Sequence, residues 1–146
     1  MKASEIMTPS PRVATPQSTA RDVARLMRDA DTGVIPIVED EAGKRLVGLV
    51  TDRDIAIRLV AEGRDGDTPI SQAMSSEIAG VKPDDDVKSV RQLMAERQVR
   101  RVPVCDAQGR CLGIISQADL ALDDDISDKA VGKTVEAISE PSQRHH

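Results

Sequence analysis

Two short stretches place a hydroxyl three positions before a carboxylate: Thr51 with Asp54 in GLVTDRD (48–54), and Ser116 with Asp119 in GIISQAD (113–119). One chemistry for this spacing is helix capping, in which the hydroxyl accepts from a backbone N–H and the acid reaches back. A second is recognition of a vicinal diol. The two hydroxyls of a ribose can each donate to a carboxylate oxygen, and charge-assisted bonds of this kind contribute about 1.5–3 kcal/mol each. Free N–H groups at the helix start would help hold a phosphate nearby. The same atoms can serve as cap and as ligand site. Each stretch also opens on a glycine, Gly48 or Gly113, inside an apolar run where glycine weakens a strand. Such a glycine marks a close approach to the backbone.

Catalysis has little to work with. The only histidines are His145 and His146, Tyr is absent, and neither a P-loop nor a Ser-His-Asp set is present, so an enzyme is not expected. Cys105 and Cys111 align with Val38 and Leu46 of the first copy. They read as small core hydrophobes rather than as a redox pair or half a metal site, and no metal is expected.

The elements that must position these residues are written twice. Met7, Pro16, Val23, Met27 and Pro36 recur 67 positions later as Met74, Pro83, Val90, Met94 and Pro103, whereas the Gly-to-Asp motif recurs at a spacing of 65. The two-residue difference falls between Pro36 and Gly48, in EDEAGKRLV against DAQGRCL, and hairpin loops tolerate such changes. Each copy predicts β-α-β-β-α. A short strand (RVAT, AGVK) precedes a helix, near 18–30 with Ala20, Val23, Ala24 and Met27 on one face, or near 85–97 with Val87, Val90 and Met94. VIPIV and RVPVC follow as strands whose proline suits an edge. A hairpin then leads to RLVGLV and CLGII, and a second helix starts at Thr51 or Ser116.

The fold class is α/β (α+β), with two tandem repeats packed about a pseudo-twofold axis, because one copy of about 60 residues buries too little surface alone. The first repeat is placed at 1–62, a linker at 63–69 and the second repeat at 70–122. An acidic segment, a C-terminal helix ending near Pro141 and a flexible tail occupy 123–146.

Composition narrows the partners. The 146 residues carry a net charge of −5, so the phosphate backbone of a nucleic acid would be repelled overall. With no Phe, Tyr or Trp there is no aromatic platform for stacking bases, and a flat ring must be gripped by aliphatic side chains and backbone. No apolar run approaches the roughly 18 residues of a membrane span, and the start lacks a signal peptide, which points to the cytoplasm.

Two β-α-β-β-α copies, each ending in Gly-h-x-[Ser/Thr]-x-x-Asp, resemble a cystathionine-β-synthase (CBS) domain pair over nearly all of residues 3–122. LVTDRDI and QVRRVPV are similar to the small stand-alone bacterial members. The resemblance implies clefts between the copies that hold an adenosine compound: AMP, ADP, ATP, S-adenosylmethionine or NAD. It assigns Asp54 and Asp119 to the ribose diol, with Thr51 and Ser116 nearby. The adenine walls would be Val13, Ala14, Val34, Ile35 and Pro36 in one copy and Ala79, Val81, Val102 and Pro103 in the other. Family sites are composite, so the Asp of one copy would face the early strands of the other.

An acidic chain must supply phosphate-binding cations locally, and Arg53, Arg100 and Arg101 are the candidates. Arg100/Arg101 align with Gly33/Val34, and Arg53 with Ala118, so the clefts should bind unequally, with the Asp54 cleft the better phosphate site. The expected function is a regulatory sensor: a homodimer that signals nucleotide occupancy to a separate protein target by a change of shape. A ligand-free structural or interaction module is the alternative, and a redox or metal responder through the two cysteines is a third.

Overall fold

Aliphatic, β-branched residues interrupted by one proline pair with a glycine-containing run in both repeats. The computed structural model describes residues 1–126, with side chains to residue 121; the helix expected toward Pro141 and the terminal histidines lie outside the described residues. Two units emerge, each mixing helices with a small antiparallel sheet.

One unit comprises Pro11–Ile78 with Gln108–Cys111. Its helix at Ala20–Ala30 is α2, its strands at Val34–Val38 and Leu46–Thr51 are β2 and β3, and the helical turn at Asp52–Ile55 is α3. Thr19 caps α2, its Oγ1 accepting from Asp22 N–H at 3.1 Å. β2 and β3 pair from Val34↔Thr51 to Ile37↔Gly48, with an irregularity before Val38↔Leu46. The strand predicted for RVAT shrinks to one parallel bridge at Ala14. There Ala14 N–H donates to Pro36 O (3.1 Å) and Val38 N–H donates to Ala14 O (2.8 Å). The side of Pro36 that lacks a donor faces this outer bridge, so the β2–β3 ladder loses nothing. Ile35, Ile37, Val50, Leu59 and Ile70 are fully buried at the centre.

The other unit comprises Met1–Ser10, Ala79–Ala107 and the described residues from Leu112 onward. It holds α1 (Ala3–Ile6), β1 (Thr8–Pro9), α4 (Val87–Arg97), β4 (Arg101–Cys105), β5 (Cys111–Ser116) and α5 (Gln117–Ile126), with sheet order β1-β5-β4. AGVK likewise contributes a single bridge, Val81↔Val104. Val90, Met94, Val102, Val104, Ile115 and Leu120 form its core.

Two expectations change. Ala24 is exposed, and the inner face of α2 is completed by Leu26, which packs against the core. At the position matching Ala24, α4 buries Arg91.

The opening segment of each repeat lies in the unit built from the other repeat, with matching bonds throughout. Thr68 O accepts from Ala20 N–H, the first amide of α2, at 2.8 Å; 67 positions away, Met1 O accepts from Val87 N–H, the first amide of α4, at 2.9 Å. Ile70 N–H donates to Ser18 O and Ala3 N–H to Asp85 O; Ser71 N–H donates to Pro16 O and Ser4 N–H to Pro83 O. Ser75 bridges to Leu49 as Thr8 pairs with Ile114. Helix N-termini leave amides that need outside acceptors, and these segments supply them.

Candidate functional site

Asp54 and Asp119 sit at equivalent corners, each where a core strand turns into a helix. Thr51 N–H donates to Asp54 Oδ2 at 2.9 Å, and Asp54 N–H donates to Thr51 Oγ1 at 3.1 Å. At the second corner Ser116 N–H (2.8 Å) and the Ser116 hydroxyl (3.1 Å) both reach Asp119 Oδ2, and Asp119 N–H donates to Ser116 Oγ at 3.3 Å. The capping reading is therefore realised in full at both places. It leaves capacity over. Both carboxylates are half-buried, and among the described residues no hydrogen bond or ion pair engages either Oδ1. An ionised carboxylate offers about four acceptor directions, so each retains what two donating hydroxyls require.

The glycines have a different cause from a ligand. A Cβ on Gly48 would lie 2.8 Å from Met74 Sδ and 3.0 Å from Ser75 O. On Gly113 it would lie 2.5 Å from Met7 Sδ and 2.8 Å from Thr8 O. The close approach inferred from sequence is real, and what approaches is the exchanged opening segment. Met7 and Met74 were visible as a repeated pair, but no local pattern tells which strand a methionine will cross.

The other candidates distribute by repeat. Val13, Ala14, Val34, Ile35, Pro36, Thr51, Arg53 and Asp54 all belong to the Pro11–Ile78 unit. Ala14, Val34, Ile35 and Pro36 are buried, so they offer backbone and little side-chain surface, while Val13 is half-buried. Ala79, Val81, Arg100, Arg101, Val102, Pro103, Ser116 and Asp119 belong to the other unit. Val81, Val102 and Pro103 are buried, and Ala79 is half-buried.

Charge differs between the corners. Gly33 O accepts from Asp52 N–H (3.0 Å) as Arg100 O accepts from Gln117 N–H (3.1 Å), so Gly33 and Arg100 occupy matching places beside the motif. A Cβ on Gly33 would stand 3.0 Å from Asp52 Oδ2, a contact that the exposed Asp52 side chain can relieve by turning away. The first corner thus holds Asp52 and Asp54 with exposed Arg53, whereas the second holds Asp119 with Arg100 and Arg101 entering β4.

Cys111 is buried and Cys105 half-buried, and no disulfide joins them. Burial, reinforced by the negative charge of Asp106, pushes the Cys105 thiol above its ordinary range, which disfavours the reactive thiolate. Among the described residues no group of three or more His, Cys, Asp or Glu side chains could hold a metal ion, and no helix is long and apolar enough to cross a membrane.

The family model for the CBS domain matches residues 3–61 and 70–122. CBS domain-containing protein YhcV of Bacillus subtilis is 38% identical over 135 residues, covering 92% of this chain and 93% of the relative. The crystal structure of Hypoxic Response Protein I, which has two coordinated zinc ions, superposes with a TM-score of 0.75 at 34% identity, covering 84% of this chain and 98% of that one. CBS domain protein PAE2072 of Pyrobaculum aerophilum, complexed with AMP, gives a TM-score of 0.77 at 26% identity, with coverage of 93% and 98%.

Proposed function

The chain belongs to the CBS domain family, with two copies in tandem, and from that premise we propose that it is a regulatory, non-catalytic module that binds adenosine nucleotides and transmits occupancy to a separate protein. One observation carries the reading: two carboxylates at equivalent strand-to-helix corners, each fixed by a reciprocal cap and each with an oxygen unengaged among the described residues. The cap holds the acid in a single orientation, so a ribose diol meets a preorganised acceptor and little freedom is lost on binding. The 2′- and 3′-hydroxyls donate to Asp54 or Asp119. The adenine rests on aliphatic side chains and backbone of the early strands, as an aromatic-free protein requires. Arg53, Arg100 and Arg101 supply the positive charge for phosphate. A solved relative complexed with AMP supports the ligand class. The module works as a homodimer in the cytoplasm, and its shape changes to the extent that the nucleotide favours one arrangement over another.

The test is a calorimetric titration of nucleotide-freed protein with AMP, ADP, ATP, S-adenosylmethionine and NAD. We expect saturable heat and a thermal upshift with at least one of them. Asp54→Ala or Asp119→Ala should weaken that binding about ten- to a hundred-fold. A specific observation favours a second reading, a ligand-free scaffold: the caps are complete, and the exchanged segments account for both glycines. Silence across the whole panel would establish the scaffold and end the sensor.

A further inference from the structure

Directly after the Asp54 corner the helix leaves α-geometry. Ala56–Val60 is a π-helical segment, closed by Ala61 N–H donating to Ala56 O at 2.9 Å, a bond spanning five residues. A second five-residue bond follows, from Arg64 N–H to Leu59 O at 2.9 Å. The matching helix of the second repeat, α5 (Gln117–Ile126), is α-helical throughout. Short π segments hold one residue more than the α-helix needs and concentrate at functional sites. This one has an odd surface. Among the described residues, and apart from Met1, the strongly exposed large apolar side chains are Ile57 at 47% and Val60 at 67%, both inside it.

The same segment also holds the exchanged strand. Arg58 Nη1 donates to Ala73 O at 2.9 Å and to Met74 O at 3.3 Å. The next residue, Ser75, pairs with Leu49 of β3 through both backbone bonds, at 2.8 and 2.9 Å. A continuous covalent and hydrogen-bonded route therefore runs from Asp54 along five residues to Arg58 and across to 73–75. The residue matching Arg58 in the second repeat is Asp123.

We infer that Ala56–Val60 is a two-register element which, through Arg58, couples the Asp54 corner to the exchanged segment 70–75; the inference rests on the nucleotide reading of Asp54. A diol bound at the open Oδ1 of Asp54 draws charge from the carboxylate, weakens its Oδ2 bond to Thr51 N–H without displacing it, and so retunes the first helical turn. Closing the π segment to four-residue bonds turns its residues, Arg58 among them, by up to about 100° relative to α3, one residue's rotation. Arg58 cannot keep both carbonyl bonds through such a turn. A nucleotide with different affinity for the two registers then shifts their populations.

Amide hydrogen exchange with AMP and ATP as probes tests this. In the wild type, saturating nucleotide should change the exchange rate at least tenfold at Ala61 and at Ser75. In Arg58→Gln the change at Ala61 should persist and that at Ser75 should vanish; if Arg58→Gln fails to fold, Arg58→Lys, which keeps charged N–H donors but lacks the planar fork, should show a reduced response at Ser75. Nucleotide binding with no change at Ala61, or a Ser75 response indifferent to Arg58, overturns the register inference and leaves the binding site standing. No binding of either probe overturns the nucleotide reading and the inference with it.

Discussion

The two corners share a mechanism and differ in their surroundings. Thr51/Asp54 and Ser116/Asp119 make the same reciprocal cap, yet Asp52 accompanies the first where Gln117 stands at the second, and Arg100 replaces Gly33. A π segment follows one and a regular α-helix the other. The geometry that fixes a carboxylate has been kept through the duplication, while charge and helix register have diverged around it. Under the proposed function, the shared part would grip a sugar, and the divergent part would set phosphate preference and the response to binding.

The strongest way to break this comparison is to fill the glycine contacts. Gly113→Ala, whose added carbon would meet Met7 Sδ at 2.5 Å and Thr8 O at 2.8 Å, should lower stability by about 1–3 kcal/mol in urea unfolding. Gly48→Ala should fall lower in that range, since its contacts are 2.8 and 3.0 Å. Equal costs would show that the two exchanged segments yield alike. Removing the caps comes next. Thr51→Ala and Ser116→Ala should each lower stability by about 1 kcal/mol, and binding should suffer less than in the Asp→Ala variants.

A smaller effect separates the cysteines from their first-copy counterparts. Because the Cys105 thiol is held above its ordinary range, its protonated form stabilises the fold. That contribution is complete below the ordinary thiol pKa and is lost as pH rises through the raised one. Wild-type protein should therefore show a fall in urea midpoint on the alkaline side that Cys105→Val reduces, and alkylation at neutral pH should be slower than for a free thiol. Rapid neutral alkylation would revive the redox responder. Least of all should the Arg21–Asp67 ion pair matter. At 2.6 Å it is short, but both partners are well exposed, and Arg21→Ala should leave the urea midpoint unresolved from wild type.

Much of this was legible in the sequence because it is local or periodic. The helix start near residue 18, the edge prolines Pro36 and Pro103, the hairpin length change and the paired hydroxyl-to-acid motifs each depend on residues within a few positions of one another. Ala24 was misplaced because a helix of 3.6-residue period leaves flank positions ambiguous, and the core selected Leu26 instead. The exchange of opening segments was not legible at all. Residues 63–69 look like an idle Gly- and Asp-rich connector, yet Gly66 O and Thr68 O receive the first two amides of α2. Nothing in their own composition says which helix start they will cover. For the candidate site, the acids could be read from spacing, but Arg58 could not, because its acceptors lie 15 and 16 residues away in a turn of another repeat.

The trading of opening segments also sets an order of assembly. Residues 1–10 are made long before their seat on β5 and before α4, which does not exist until residue 116 has been made. The stretch from 11 to 78 has nearly all its partners at hand long before. The leading decapeptide must wait, unsated, while the middle of the chain settles. A ribosome that stalls between these moments holds one nearly complete body and a segment still without its seat.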